Sequence, residues 1–249
     1  MTFPHLPKAP IVEGLIHVRC KAGQGISLED VLKFGERIRS LYPTVKPLQH
    51  FEADLQIGAD SKPTQSVRTS HIGYRFERTD PPFVVHAQIG ELLVSRLRPY
   101  DTWENLFSAA KSHWSDYCDV LRPEAITRIA TRFINRIELP MEMEKLDFDD
   151  YLAAPPTIPK GLPPVFEHFL TRIVVSDHIT GCDIAISQAL DSPNPQTRTL
   201  PVLIDIDVYK QVNLPIDSPD LWETLGKMRD LKNRAFFDSI TAKALELFK

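Results

Sequence analysis

Three apolar runs decide the fold: Ile72-Gly73-Tyr74-Arg75-Phe76-Glu77-Arg78, Phe83-Val84-Val85-His86-Ala87-Gln88-Ile89 and Leu92-Leu93-Val94-Ser95-Arg96-Leu97. They are rich in β-branched and aromatic residues and are separated only by the turn former Asp80-Pro81-Pro82 and by Gly90. A parallel pair of strands needs a crossover of a dozen or more residues, so gaps this short predict an antiparallel meander.

Upstream, Phe51, Ala53, Leu55 and Ile57 alternate with Glu52, Asp54 and Gln56, the period of a half-buried strand, while Gly58 to Ser70 reads as a loop. Val12 to Cys20 alternates likewise, with Val12, Gly14, Ile16, Val18 and Cys20 on one face and Glu13, Leu15, His17 and Arg19 on the other. Between these strands, Ser27 and Asp30 resemble a capping box, and Leu28, Val31, Leu32, Ile38 and Leu41 continue at helical spacing until Pro43. Downstream of the meander, Asp101 is the expected cap, with Glu104 three residues on, of a helix whose stripe is Trp103, Leu106, Phe107, Ala110, Trp114, Tyr117 and Leu121.

Ile126 to Leu139 reads as a strand, and Met141 to Pro164, acidic and then proline-rich, reads as a linker. Asp147 to Leu152 adds at most one helical turn within it. Beyond it, Phe166 to Val175, Cys182 to Ala189 and Val202 to Tyr209 read as strands. Ser218 and Pro219 then open a long helix with Leu221, Leu225, Met228, Leu231 and Ala235 on its core face and no break before Phe248. Strands followed by helices, without βαβ alternation, predict an α+β fold of antiparallel strands in one or two sheets packed by three helices. The expected organisation is an N-terminal α+β half over 1–140, a linker over 141–164 and a C-terminal half over 165–249.

Asp101-Thr102-Trp103-Glu104-Asn105-Leu106 and Asp220-Leu221-Trp222-Glu223-Thr224-Leu225 share Asp, Trp, Glu and Leu at equal offsets. A duplication that leaves two similar strands-then-helix halves gives such an echo; so does the preference of any helical first turn for acidic residues.

Hydrophobic residues are 43% and charged residues 25% of the 249, which excludes a disordered or collagen-like chain. With 29 Lys and Arg against 33 Asp and Glu there is no basic excess for nucleic acid or anionic membrane, so any such surface is local. The first ten residues lack the pattern of a secretory signal, and Cys20, Cys118 and Cys182 fit neither a disulfide framework nor a zinc or redox motif. A reducing cytoplasm is the expected compartment, with no cofactor and no membrane contact.

The chain has no Gly-x-Ser-x-Gly elbow, phosphate loop, His-Glu-x-x-His or Cys/His zinc spacing. Gly23-Gln24-Gly25 lies between a strand and a helix but lacks the third glycine of a dinucleotide site, and reads as a plain turn. Arg128, Arg132 and Arg136 share one face of their strand, and with Asn135 they make a candidate polar or ligand face, since guanidinium forks suit phosphate or carboxylate. Asp205 and Asp207 share a face of theirs. They are candidate magnesium ligands or, more economically, partners of the arginines. Lys227, Arg229, Lys232 and Arg234 on the last helix are candidate nucleic-acid contacts or a solvated face. His17, His50 and His86 sit singly in strands and read as structural.

Leu6-Pro7-Lys8-Ala9-Pro10-Ile11-Val12-Glu13-Gly14-Leu15-Ile16, Arg132-Phe133-Ile134-Asn135-Arg136-Ile137-Glu138-Leu139-Pro140, Leu203-Ile204-Asp205-Ile206-Asp207 and Leu231-Lys232-Asn233-Arg234-Ala235-Phe236-Phe237 together resemble the signature segments of a sporadically distributed prokaryotic family of unknown function and similar length. The resemblance implies no activity, substrate or catalytic residue. Its patchy distribution is similar to that of mobile and phage-defence genes, which implies an accessory subunit of a bacterial stress or defence system.

The function expected from all this is a non-enzymatic binding or interaction protein with a protein partner or a second copy of itself. The alternatives are a metal-dependent phosphoryl-transfer or nuclease-like enzyme using Asp205 and Asp207, and a nucleic-acid-binding module.

Overall fold

The structure is a computed structural model that describes residues 3–4, 6–56, 64–141, 146–163, 165–192 and 196–249, without the side chains of residues 52–56 and 64–67. Among the described residues, nine strands form one antiparallel sheet and four helices pack on it, so the α+β expectation resolves to a single sheet. The strands are β1 (Ile11–Lys21), β2 (Thr44–Gln56), β3 (Thr64–Thr79), β4 (Pro82–Gln88), β5 (Glu91–Leu97), β6 (Ala125–Pro140), β7 (Leu170–Asp177), β8 (Cys182–Leu190) and β9 (Thr199–Leu214). The helices are α1 (Leu28–Ile38), α2 (Trp103–Leu121), α3 (Asp220–Ser239) and α4 (Ala242–Glu246). Strand order is β2-β3-β4-β5-β1-β6-β9-β8-β7, so β1 and β6 pair at the centre, β2 and β7 form the edges, and α2 and α3 each follow the strand beside the central pair.

The alternation read from the sequence places the core. Ile16, Val18 and Cys20 of β1, Ile129, Phe133, Ile137 and Leu139 of β6, and Val202, Ile204, Ile206 and Val208 of β9 are buried under the helices. The central hydrophobic cluster continues into the stripes of α1, α2 and α3 without interruption. The opposite face carries Arg19, Arg132, Asp205 and Asp207 and is open, with no helix packed on it among the described residues.

Several boundaries differ from expectation, each for a physical reason. The part of the expected Gly58 to Ser70 loop that is described, Thr64 to Ser70, continues β3, because β2 and β3 form one long hairpin registered from Thr44↔Glu77 to Gln56↔Thr64. Residues 58–63, and the expected strand end Ile57, lie outside the described residues. Thr44 to His50 belongs to that hairpin although Pro47 interrupts its pattern; Pro47 sits on an edge strand, the place in a sheet where proline is tolerated. The strand expected from Phe166 begins at Leu170, and Phe166 and Phe169 turn instead into a ring cluster with Phe148.

The last helix is broken where none was expected. Ile240 is extended at φ −122° and ψ 156°, and Thr241 caps α4 by accepting a hydrogen bond from the Ala244 N–H. The competing partner is the 141–164 segment: Leu152 bridges Ile240, Ala153 N–H donates to Ser239 O and Thr241 N–H donates to Tyr151 O. Tyr151 and Leu152 are buried there.

At the start of α2 the cap is Thr102, which accepts from the Asn105 N–H, and Asp101 sits one step outside it, bound to the Thr102 N–H and to Asn105. At α1, the Asp30 carboxylate accepts from the Ser27 N–H, the half of a capping box in which the N3 side chain reaches back, and from the Ser27 hydroxyl as well. Gly23-Gln24-Gly25 is the turn before that helix, and a Cβ on Gly23 would come within 2.4 Å of the Arg122 carbonyl oxygen, so the small residue is a packing requirement.

Candidate functional site

The open face brings together most of the polar residues singled out from the sequence. Arg132 donates from Nε to Asp205 Oδ1 at 2.7 Å and from Nη2 to Asp205 Oδ2 at 2.5 Å, a bidentate fork across the β6–β9 ladder. Arg128 lies over the Tyr209 ring at 4.9 Å, contacts His17 Nδ1 at 3.1 Å and reaches Asp207 Oδ2 at 3.5 Å. His17 Nε2 stands 3.1 Å from Glu91 Oε1, and Arg19 donates to the other oxygen of that carboxylate at 3.0 Å. The result is a polar band across four central strands, in which the cations of β1 and β6 lie between Glu91 of β5 and the two aspartates of β9.

Burial pushes the Asp207 carboxyl above its usual range despite Arg128 and Arg132, and the same desolvation pushes Arg128 down; for Arg132 the hydrogen bonds to Asp205 dominate and raise it. Arg136 is apart from this line, 3.2 Å from Glu138 and 3.6 Å from Asp191. Asn135, one position out of phase with the arginines, is on the helix face, where its amide donates to the carbonyls of Phe133 and Ile204.

These contacts bear on the magnesium alternative. Both oxygens of Asp205 are taken up by one guanidinium, and Asp207 faces Arg128. Among the described residues no three His, Cys, Asp or Glu side chains converge as metal ligands would. The arrangement is that of a neutralised polar sheet face.

The cations of the last helix point to different sides. At 100° per residue, Lys227 and Arg234 fall on one side of α3 and Arg229 and Lys232 on the other. Lys227 pairs with Glu223, Arg229 pairs with Glu104 and lies over Trp103, and Arg234 lines a groove against β7. Lys232 is 8% exposed, with its Nζ 3.9 Å from the centroid of the Phe133 ring. A continuous basic stripe is absent from α3.

Two concave sites were not anticipated. One is a pocket of about 420 Å³ between the N-terminal segment, the first turn of α2 and the second half of α3. Leu6, Pro10, Asn135, Lys232, Asn233 and Phe237 meet in it. A signal was present, because Leu225, Met228, Lys232 and Ala235 follow one another at helical spacing and so place Lys232 on the buried stripe.

The other site is an open groove of about 590 Å³ between α3 and the outer strands β7 and β8. Its floor is Ile173, Val175, Ile184 and Ile186, and Pro155 and Pro156 form part of its rim. The strand beside it is apolar on both sides yet lies at the sheet edge, with Leu170 76%, Ile173 57% and Val174 53% exposed. The sequence signal was the unalternated Ile173-Val174-Val175 run, the pattern of a strand covered on both faces.

No model of a known protein family matches the chain, and no curated protein is significantly similar to it. No helix of the described residues is long and apolar enough to cross a membrane.

Proposed function

We propose that the chain is a non-enzymatic interaction protein built from two copies of one strands-and-helix unit, and that it holds a protein partner on β7 and the adjoining groove. The supporting observation is what is missing from the second unit. Outward from the central β1–β6 pair, the sheet runs β5, β4, β3, β2 on one side and β9, β8, β7 on the other. In the first unit α1 lies on β3 and β4 beside α2, with Val31, Phe34 and Ile38 buried, and β2 pairs with the outer edge of β3. The corresponding places, above β7 and β8 beside α3 and along the outer edge of β7, are the groove and the exposed apolar strand.

The chain between β6 and β7 stands in sequence where α1 and β2 stand in the first unit. Its Phe148–Asp150 turn, buried Tyr151 and Leu152 and following prolines close the end of α3 without covering β7. A bare strand edge is a template for a further strand, and native proteins blunt such edges with charge or proline unless they are used. Here β7 carries Arg172 and Asp177 near its ends and Ile173-Val174-Val175 between them. The occupant that fits is a partner segment of the same build as α1 and β2: an amphipathic helix for the groove and a strand for the edge. The recurring Asp-x-Trp-Glu-x-Leu at the starts of α2 and α3, helices in equivalent positions, supports the repeat.

The test compares stable complexes recovered from native cells by the wild-type chain, by Ile173→Arg in the groove floor and by Arg132→Gln on the open face. The wild type and Arg132→Gln retain one stoichiometric partner, and Ile173→Arg loses it. A purified wild-type chain of doubled mass by light scattering, reduced to a monomer by Ile173→Arg, would replace the heterologous partner with a second copy; identical complexes for all three chains would remove β7 from the interaction.

A further inference from the structure

The pocket holding Lys232 is separate from the β7 groove. We propose that it binds a small apolar molecule carrying one carboxylate, with the Lys232 ammonium as the counter-charge. The argument begins with which charges around the pocket are already satisfied. Arg229 Nη2 is 3.1 Å from Glu104 Oε1. Asp101 accepts from Arg96 Nε at 3.1 Å, from the Thr102 N–H and from Asn105. Lys232 alone has neither an ion pair nor a hydrogen bond to any described residue, and its only cation contact is the face of Phe133.

A buried ammonium that lacks an acceptor is costly, and an incoming anion relieves that cost. One unpaired positive charge calls for one negative charge, which favours a carboxylate over a doubly charged phosphate and over any neutral or cationic ligand. The remaining walls set the rest of the molecule. Pro10, Trp103, Phe236 and Phe237 offer apolar surface, and Asn233 adds an amide. A volume of about 420 Å³ is in the range of small-molecule sites and accommodates a single-ring acid.

Desolvation first, and the charge of Arg229 second, bring the Lys232 amine down to about 7, so near neutral pH it is not fully protonated. The other ionisable groups around the pocket are Tyr100, Asp101 and Glu104; β6 and the described N-terminal residues add none to its lining. A carboxylate beside the amine restores its proton, so binding takes up protons from solution.

Calorimetric titration of the full chain at pH 7 with 3-phenylpropionate and with the uncharged 3-phenylpropanamide, in two buffers of different ionisation enthalpy, tests this. The carboxylate is expected to bind at least about tenfold more tightly than the amide and to take up protons from the buffer, which the amide does not. Lys232→Gln should erase that preference while melting cooperatively, and Lys232→Met is the second variant should Gln fail to fold. Equal binding of acid and amide, a preference that survives in the folded variant, or no binding of either probe would overturn the proposal.

Discussion

Arg132 and Asp205 join β6 to β9 diagonally: the residue directly opposite Arg132 is Asp207, yet its guanidinium fork closes on Asp205, leaving Asp207 to Arg128. The two pairs are unequal. Arg132 gains from its hydrogen bonds, whereas burial works against the charged forms of both Arg128 and Asp207. Asp205→Asn is therefore expected to lower stability by about 1 kcal/mol, Asp207→Asn by less, and the double variant by about the larger single effect. Urea denaturation measures this. A stabilised double variant, together with a parent whose melting temperature rises with magnesium, would restore the metal-site reading.

Gly35 and Gly226 both sit inside helices, where Gly→Ala ordinarily stabilises by roughly 0.5 to 1 kcal/mol. A Cβ on Gly226 meets nothing within 4 Å, so Gly226→Ala should follow that rule. At Gly35 the same atom falls 2.2 Å from Cε1 of Phe76, a fully buried ring, so Gly35→Ala should destabilise by about 1 to 3 kcal/mol. Opposite signs in paired denaturation curves check the packing of α1 on β3; equal signs would contradict it.

Lys232 makes stability depend on alkaline pH. Its folded value of about 7 lies below the 10.5 of an exposed lysine, so the unfolded chain binds more protons between those values and stability rises with pH across that window. The stability is present above about 10.5 and is lost as pH falls towards 7. Lys232→Met removes the group and should flatten the rise, gaining on the order of 2 to 4 kcal/mol at pH 7. Denaturation midpoints of both chains at pH 7, 8 and 9 provide the comparison; parallel curves would mean that the amine is solvated.

Trp103 and Trp222 occupy equivalent places in the repeated hexapeptide but not equivalent environments. Trp103 is buried against Phe133 and Phe107, while Trp222 meets Phe107 in a T-shaped contact and is only half-buried. Trp103→Ala should cost about 3 to 5 kcal/mol and Trp222→Ala roughly 1 to 2 kcal/mol. Because both rings touch Phe107, the double variant should depart from additivity, and strict additivity would show that the two helices do not meet there.

The sequence disclosed the sheet where one face is buried and the other wet. Arg128 to Leu139 and Val202 to Tyr209 alternate, so their faces, and the nearness of the arginines to Asp205 and Asp207, follow from period two, whereas the choice of Asp205 over the directly opposite Asp207 by Arg132 does not. It failed where a local signal met a distant competitor. Nothing within Leu231 to Phe248 marks the end of α3, because the partner that ends it, Leu152, comes from the segment read as a linker. Charge groups Lys232 with its neighbouring cations, although its spacing from Leu225 and Met228 places it inside. The bare edge at β7 was hidden for another reason: an unalternated apolar run predicts a covered strand, and no sequence rule tells whether the cover comes from the same chain.

The most direct test of the account is hydrogen exchange at the backbone amides of Leu170 to Asp177, first in the purified chain and then in the complex recovered from native cells. The outward-facing amides of β7 should exchange rapidly in the free chain and become protected in the complex, together with side-chain shielding of Ile173 and Val175 in the groove. A complex that forms while β7 exchanges as fast as in the free chain would contradict the claim that this edge is where the protein holds its partner.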